Sequence, residues 1–321
     1  MGPPEAFAIW VPIVALAAIE GFRLGFHGRR FEIALGVAAA LFAFELFLAA
    51  PPVLEATQRW LGRRGGVLAP LVPLCAVLIY SLTITGNWKF LLGGAAYTVI
   101  PALLLATSAG KAPGTWEDYA ALLAIWLPVA LPIPQRLLYR LFPYPPPLTH
   151  TLSMLLALST SVAAFLLLRR LDGIGYEIAW RRGFAWKFGF NFLVFASIAI
   201  YTGLRIGFLT FSPSLTRLRS LQLTALGILF FTAWPEEFLF RGLLQNLLSK
   251  TLKNEWAGLV AASAIFGLSH IVHGTFPNWK YVLLATIAGL FYGHAWMKSR
   301  SLVPGVLVHA LVDISWHVLF R

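Results

Sequence analysis

Residues 221–248 of this 321-residue chain read LQLTALGILFFTAWPEEFLFRGLLQNLL. The run is long enough to cross a bilayer, because a spanning helix needs about 20 mostly apolar residues. Its centre nevertheless carries two adjacent carboxylates and an arginine, which are Glu236, Glu237 and Arg241. Charged groups are costly in an apolar medium unless they are paired or take part in function. The stretch therefore predicts a membrane-spanning helix whose central polar residues are either paired with other groups or take part in function.

The composition of the whole chain is that of a membrane protein. Hydrophobic residues make up 59 % of it and charged residues 12 %, whereas a soluble domain carries roughly a quarter charged residues. The mean hydropathy is +0.76. We predict an all-α fold, a polytopic integral membrane helical bundle with about ten to eleven transmembrane helices. The predicted spans lie near residues 6–26, 31–52, 67–86, 90–109, 118–134, 150–168, 187–207, 221–248, 256–273, 279–298 and 302–320, and the connectors 110–117 and 142–149 are predicted to be interfacial loops.

The formal net charge of +12 does not indicate a nucleic-acid partner. The basic residues stand in twos and threes at the ends of apolar runs, as Arg29 with Arg30 and Arg169 with Arg170 do. This is the placement of residues that meet lipid headgroups. The single cysteine, Cys75, excludes an internal disulfide and a cysteine metal site. We therefore expect the lipid bilayer as the surroundings and no nucleic acid as a partner.

Ionisable residues within apolar runs concentrate in the last third of the chain. Before residue 210 the clearest one is Glu45. Intramembrane ionisable residues are rare and by default indicate a functional site. We therefore predict an N-terminal transmembrane region of unknown role at 1–210 and a functional domain at 215–321. The ionisable residues of this second region are Glu236, Glu237, Arg241, His270, His273, His294, His309, Asp313 and His317.

The two glutamates point in different directions on a helix. Glu237 and Arg241 are four residues apart, about 40° around the axis, and Glu before Arg is the favoured order for a pair. A buried ion pair of this kind makes the carboxylate tolerable and ties helices together. Glu236 points about 100° away from Glu237, so it needs another partner, for which histidine is the obvious kind. A helix that restarts at Pro235 would place both glutamates in its first turn, where the helix dipole favours their ionised form.

Two further predicted helices carry polar faces. His270 and His273 are three residues apart near the end of one span, and His309 and Asp313 are four residues apart in the last span. One such pair is explained by a hydrogen bond between helices, but three polar helices are less easily explained in this way. A carboxylate with nearby imidazoles suits the activation of a water molecule. The same residue types suit zinc, although the helical HExxH pattern is absent, and spacing does not choose between the two.

Three motifs follow one another on separate predicted helices: Glu-Glu-x-x-x-Arg at 236–241, Phe-x-x-x-His at 266–270 and His-x-x-x-Asp at 309–313. Gly289, Gly293 and the stretch Ser301-Leu302-x-Pro304 add a further point of likeness. In these residues the chain resembles the CPBP family of intramembrane proteases, which is the CAAX prenyl protease and bacteriocin-processing (Abi-like) group. The resemblance covers roughly residues 215–321. It implies a CAAX-type endopeptidase that acts within the membrane.

The resemblance also implies a role for each motif residue. Glu236 is then the general base that activates water, with assistance from His270. His309 and residue 313 are then the groups that stabilise the oxyanion. Many family members carry Asn at the last position, whereas this chain carries Asp313. An aspartate donates a hydrogen bond only when it is protonated, and otherwise it orients His309.

Three remaining motif residues are expected to support the site rather than to react, namely Glu237, Arg241 and Phe266. The three histidines that match no motif, His273, His294 and His317, are expected to be structural or interfacial. A glutamate mechanism without metal or cofactor is favoured, and a zinc-dependent peptidase is the alternative. A non-catalytic immunity or partner-binding membrane protein with the same fold is another, and a transporter is a fourth. The expected substrate is a membrane-associated protein or peptide, and the expected location is a prokaryotic cell membrane, as a multi-pass protein.

Overall fold

The computed structural model describes residues 2–62, 68–86, 88–130 and 146–321, and most of these residues are helical. The described part contains no extended strand, and its β pairing is an isolated antiparallel bridge between Phe211 and Phe320. The predicted all-α fold class is therefore confirmed. The chain divides into two compact units, Met1–Leu171 and Asp172–Arg321.

The first compact unit is a set of apolar helices. A buried polar contact ties two of them, because the Ser159 hydroxyl donates to Glu45 Oε1 at 2.8 Å. The predicted proline-rich loop at 142–149 lies outside the described residues up to 145, and the chain is helical from Pro146 onward. The helices are α1 (Pro3–Arg23), α2 (Arg29–Leu48), α3 (Pro51–Leu61), α4 (Leu71–Tyr80, extended by a π-helical turn at Ser81–Thr85), α5 (Trp88–Thr107), α6 (Trp116–Ala130) and α7 (Pro146–Ser161, extended by a π-helical segment at Val162–Leu168).

The second compact unit carries the three motifs. Its helices are α8 (Phe184–Arg205), α9 (Leu215–Arg219), α10 (Leu221–Thr251), α11 (Glu255–Leu268), α12 (Trp279–Ser299) and α13 (Leu302–Leu319). Helix α11 packs on α10 and α12, and α13 packs on α10 and α12. Side-chain caps begin four of these helices, since Ser214, Asn254, Asn278 and Ser301 each accept a backbone N–H of the first turn. This unit begins at Asp172, and the narrower limits 215–321 stay a prediction.

Seven helices of the described residues are long and apolar enough to cross a membrane: α1, α2, α5, α7 with its π-helical segment, α8, α10 and α13. Some of the ten to eleven predicted spans correspond to shorter apolar helices, Leu71–Ile84 and Glu255–Leu268. The span predicted near 118–134 continues beyond Ala130, outside the described residues. Helix α12 has 21 residues but is not among the seven, and it contains Lys280, His294 and Lys298.

Helix α10 passes through Pro235 without a break. A proline inside a helix lacks the N–H that would bond the carbonyl four residues earlier. Here π-helical segments, Leu229–Ala233 and Phe238–Gln245, flank the short α-helical stretch Trp234–Glu237. The chain is helical on both sides of Pro235, so the helix does not restart there as the sequence allowed. Glu236 and Glu237 nevertheless lie in the first turn of that stretch, and π-helical segments are frequent at functional sites.

Glycines let α11 and α12 approach closely. A Cβ atom built on Gly267 would overlap the Thr286 hydroxyl and lie 2.7 Å from the Val282 carbonyl oxygen. A Cβ on Gly289 would lie 3.0 Å from the Ser263 backbone. Small residues at such positions are the usual means by which membrane helices pack backbone to backbone. The glycine lead-in noticed in the sequence therefore serves the packing of the helices around the motif residues.

Gly267→Ala is expected to lower the free energy of unfolding by about 1–3 kcal/mol, because the added methyl group forces a tightly packed interface apart. The matched control is Gly189→Ala in α8, where a Cβ atom meets nothing within 4 Å. That change is expected to be neutral or to stabilise by up to about 1 kcal/mol, the helix-propensity gain of alanine over glycine. Thermal unfolding of both variants in the same detergent measures the difference. Equal stability of the two variants would contradict the close packing of α11 on α12.

Candidate functional site

The Glu237–Arg241 ion pair lies at the centre of the second unit. Arg241 Nε is 3.1 Å from Glu237 Oε2, and both side chains have 0 % exposure. The guanidinium also lies over three aromatic rings, at 4.7 Å from Phe266, 5.7 Å from Tyr292 and 5.8 Å from Phe240. Ring faces attract a desolvated cation, so the arginine is stabilised from several directions. The predicted pair is thus present, and Phe266 supports it as expected.

Glu237 has a second partner that the sequence did not predict. The Nδ1–H of His309 donates to Glu237 Oε1 at 3.0 Å. The carboxylate therefore binds a cation of its own helix through one oxygen and an imidazole of α13 through the other. A close approach makes this possible, because a Cβ atom on Gly305 of α13 would lie 3.1 Å from Glu237 Oε2. Glu237 orients the ring of His309 as well as neutralising Arg241.

The other nitrogen of His309 faces the two remaining acidic residues of the motifs. His309 Nε2 is 3.5 Å from Asp313 Oδ2 and 3.9 Å from Glu236 Oε2. Both separations exceed an ordinary hydrogen bond, and the longer one is of the kind that a water molecule bridges. The side chain of Glu236 retains 18 % exposure, whereas that of Glu237 has none. Glu236, His309 and Asp313 are therefore brought together as predicted.

His270 lies beside this group at the end of α11. Its Nδ1–H donates to the Phe266 carbonyl at 2.8 Å, which leaves Nε2 without a proton in the neutral ring. The Phe266 ring lies between the two histidines, with its centroid 4.8 Å from that of His270 and 5.9 Å from that of His309. His270 also interacts electrostatically with His309 and Asp313. All four predicted catalytic residues thus belong to one cluster, built from α10, α11 and α13.

Two tyrosines of α12 complete the cluster and were missed from the sequence. The Tyr292 ring stacks on His309 with a centroid distance of 4.6 Å and an interplanar angle of 18°. Tyr281 packs on His270 at 4.6 Å and interacts electrostatically with Asp313 and Glu236. They are 11 residues apart, about three helical turns, so they share a face. Their spacing could have indicated a shared helix face, but aromatic residues are common in apolar helices, so the spacing did not single out these two tyrosines.

The three histidines outside the motifs have different surroundings. The His273 ring is 5.2 Å from that of His270, at the edge of the cluster. His294 Nδ1 is 2.9 Å from Asn191 Oδ1, a contact between α12 and α8. The carbonyl of His317 accepts a hydrogen bond from Arg217 at 2.7 Å near the end of α13. Their expected structural or interfacial roles stay predictions, and His273 is the one nearest to the cluster.

The cluster also bears on the zinc-dependent alternative, because zinc requires a particular set of ligands. Zinc sites use at least three protein ligands from His, Cys, Asp and Glu around one position. Among the described residues, no group of three such side chains is arranged to hold a metal ion. The described side chains of Glu236, His309 and Asp313 do not by themselves form a three-ligand zinc site, and zinc stays the alternative prediction.

Comparison with known protein families gives a match in the second unit. Residues 218–315 match the family model described as type II CAAX prenyl endopeptidase Rce1-like. This stretch contains all three motifs, so the resemblance to the CPBP intramembrane proteases is confirmed. No curated protein matches the chain, and no solved structure matches it. Together with the seven apolar helices, the match supports a membrane protein with a CAAX-type endopeptidase domain that acts on a peptide or protein.

Glu237→Gln is expected to destabilise the protein by about 3–5 kcal/mol, because it leaves the buried Arg241 without its counter-charge. The matched control is Glu236→Gln, which alters a partly exposed carboxylate without an arginine partner and is expected to change the free energy of unfolding by less than about 1 kcal/mol. Denaturant unfolding in detergent measures both. The double variant Glu237→Gln/Arg241→Met is expected to recover part of the loss, and similar losses for the two single variants would contradict the assignment.

Proposed function

We propose that the chain is an intramembrane endopeptidase that hydrolyses a peptide bond near the membrane, with a water molecule activated by Glu236. Residues 215–321 hold the reactive groups. The observation that carries the proposal is the convergence of Glu236, His309 and Asp313 from two helices. The family match of residues 218–315 supports the same class of reaction.

Glu236 is the general base in this proposal. Its neighbour Glu237 is occupied on both oxygens by Arg241 and His309, so that carboxylate is not available to accept a proton. Glu236 points about 100° away from Glu237, retains some exposure and has no arginine partner. A carboxylate in this position takes a proton from a bound water molecule when the water attacks. A water molecule beside Glu236 Oε2 and His309 Nε2, which lie 3.9 Å apart, would be within hydrogen-bonding reach of both.

The reaction then follows in two steps. The water oxygen bonds to the carbonyl carbon of the peptide, its proton passes to Glu236, and the carbonyl oxygen becomes an oxyanion. When the tetrahedral intermediate collapses, the carbon–nitrogen bond breaks and Glu236 returns the proton to the leaving amine. One water molecule is consumed, and a carboxylic acid and an amine are formed.

His309 stabilises the oxyanion. Its Nδ1–H is held by Glu237, so Nε2 is the nitrogen that points toward the reacting groups. With both nitrogens protonated, Nε2 lies 3.5 Å from Asp313 Oδ2 in the resting site, and Nε2–H donates to the oxyanion during the reaction. Preorganised donors of this kind lower the barrier because they need no reorientation when charge develops. Asp313 thus orients His309, a role that the sequence had left open beside direct donation.

His270 assists Glu236 from the side. Its Nδ1–H is used by the Phe266 carbonyl, so the free Nε2 accepts a hydrogen bond from the attacking water. Tyr281 and Tyr292 cover the imidazoles of His270 and His309. Such rings limit the number of water molecules at the site and strengthen its electrostatic interactions. A substrate suited to this site is a membrane-associated protein or a lipidated peptide, and a prokaryotic cell membrane stays the predicted location.

Glu236→Gln is expected to lower kcat/KM by roughly 10²–10⁴-fold, the usual contribution of a general base, while the protein still inserts and folds. The control is Glu255→Gln, which removes an exposed carboxylate paired with Arg300 in the same unit and is expected to leave cleavage unchanged. A terminus-resolved assay on reconstituted protein measures both. Full activity of Glu236→Gln would end the glutamate mechanism. A biological phenotype that survives His270→Ala and His309→Ala would favour the non-catalytic alternative.

Chelation separates the glutamate mechanism from the zinc-dependent one. Cleavage by the purified protein is expected to persist after dialysis against a strong chelator, since Glu236 with His270 activates the water and His309 supplies the donor to the oxyanion. Elemental analysis of the same sample gives the metal content. Loss of activity on chelation, restored by one equivalent of zinc, would replace the glutamate mechanism with the metal-dependent one.

A further inference from the structure

A file of polar side chains continues along α10 beyond the site. Glu237, Arg241 and Gln245 are spaced four residues apart, and each has 0 % exposure. Arg241 and Gln245 lie in the π-helical segment Phe238–Gln245. A π-helix has more than four residues per turn, so side chains four apart point in nearly the same direction. Gln245 therefore lies one helical turn further along α10 than Arg241, on the side away from Glu237.

The neighbouring helix is shaped to receive Gln245. A Cβ atom on Gly293 of α12 would overlap Gln245 Oε1, so the amide fills the space that the glycine leaves. Gln245 Nε2 donates to the Gly293 carbonyl at 3.3 Å. A carbonyl only accepts hydrogen bonds, which requires the NH₂ end of the amide to face Gly293. The amide is thereby oriented, and a hydrogen-bond donor to its oxygen has to come from another residue.

The unpaired atoms of this file complement one another. Arg241 Nε, Nη1 and Nη2, Gln245 Oε1 and Glu237 Oε2 are all buried without a hydrogen-bond partner of ordinary geometry. The arginine offers only donors, and the two flanking side chains offer only acceptors at these atoms. Buried polar groups are normally hydrogen-bonded, and orphaned ones are costly. Small side-chain adjustments within the file would pair donors with acceptors on both sides of the arginine.

We infer that Gln245 is a positioning residue of the site, which accepts a hydrogen bond from the Arg241 guanidinium and holds it against Glu237. The inference rests on the proposed function of the same site. An arginine held in this way remains paired with Glu237 Oε2, and Glu237 Oε1 continues to accept the hydrogen bond from His309 Nδ1. Gln245 thus acts on the imidazole through two intervening side chains and touches no reacting atom. An apolar residue of the same volume would pack equally well but would leave Arg241 free to shift away from Glu237.

The test compares two nearly isosteric changes at adjacent buried amides of α10. Gln245→Met removes the proposed acceptor. Asn246→Leu is the matched control, since Asn246 is 5 % exposed and donates instead to the Asp172 carbonyl at 2.8 Å. Gln245→Met is expected to lower kcat about tenfold with KM within about twofold, as loss of an outer partner of an oriented histidine does. Asn246→Leu is expected to keep both constants within about twofold.

A spectroscopic measurement makes the result independent of the cleavage assay. The Nδ1 proton of His309, which is hydrogen-bonded to a carboxylate, is followed by NMR of histidine-labelled full-length protein and assigned with His309→Gln. Gln245→Met is expected to shift or broaden this resonance, and Asn246→Leu is expected to leave it in place. Should the Met variant not fold, Gln245→Asn provides the same comparison, because the shorter amide cannot reach both Gly293 and Arg241.

Two results would overturn the inference. One is a Gln245→Met protein with wild-type kcat and an unchanged His309 resonance. The other is an equal fall in kcat for Gln245→Met and Asn246→Leu, which would show a general packing effect. If the wild-type protein cleaves nothing, the proposed function fails, and the His309 resonance alone then decides whether Gln245 positions the histidine.

Discussion

The whole site depends on a single buried carboxylate that has a partner on each of two sides. Glu237 has no exposure, and its two oxygens face Arg241 of its own helix and His309 of α13. A charge in an apolar interior is tolerable only with good partners, so the two helices must remain in register for the fold to persist. Phe266 and Tyr292 add α11 and α12 to the same arrangement, because their rings face the guanidinium. Four helices therefore meet around one ion pair.

This arrangement explains why two adjacent glutamates have different tasks. Successive residues point about 100° apart on a helix, so Glu236 and Glu237 face different surroundings. Glu237 faces the packed interior and is neutralised there. Glu236 faces His309 Nε2 with partial exposure and without an arginine. The Glu237 carboxylate thus stabilises the structure, and the adjacent Glu236 carboxylate remains able to accept a proton.

Much of the site was predictable because its motifs are local. The i and i+4 spacings of Glu237 with Arg241 and of His309 with Asp313 place each pair on one helix face, and both pairs are in contact. The second partner of Glu237 was not predictable, because it depends on how closely Gly305 lets α13 approach α10. Tyr281 and Tyr292 were missed for the same reason, since nothing in their local sequence shows which helix they face. The predicted span count is larger than the seven long apolar helices of the described residues because it includes the shorter apolar helices Leu71–Ile84 and Glu255–Leu268 and also helix α12.

The membrane class, the helical fold and the identity of the polar groups at its centre could all be read from the sequence, because they follow from composition and from periodicity along one helix. The sequence also determined that Glu236 and Glu237 differ in direction. Only the tertiary structure decided that Glu237, and not Glu236, takes the Nδ1 of His309, that Asp313 faces Nε2, and that aromatic rings enclose Arg241. Those facts depend on the packing of four helices, and packing distances are set by side chains far apart in the chain.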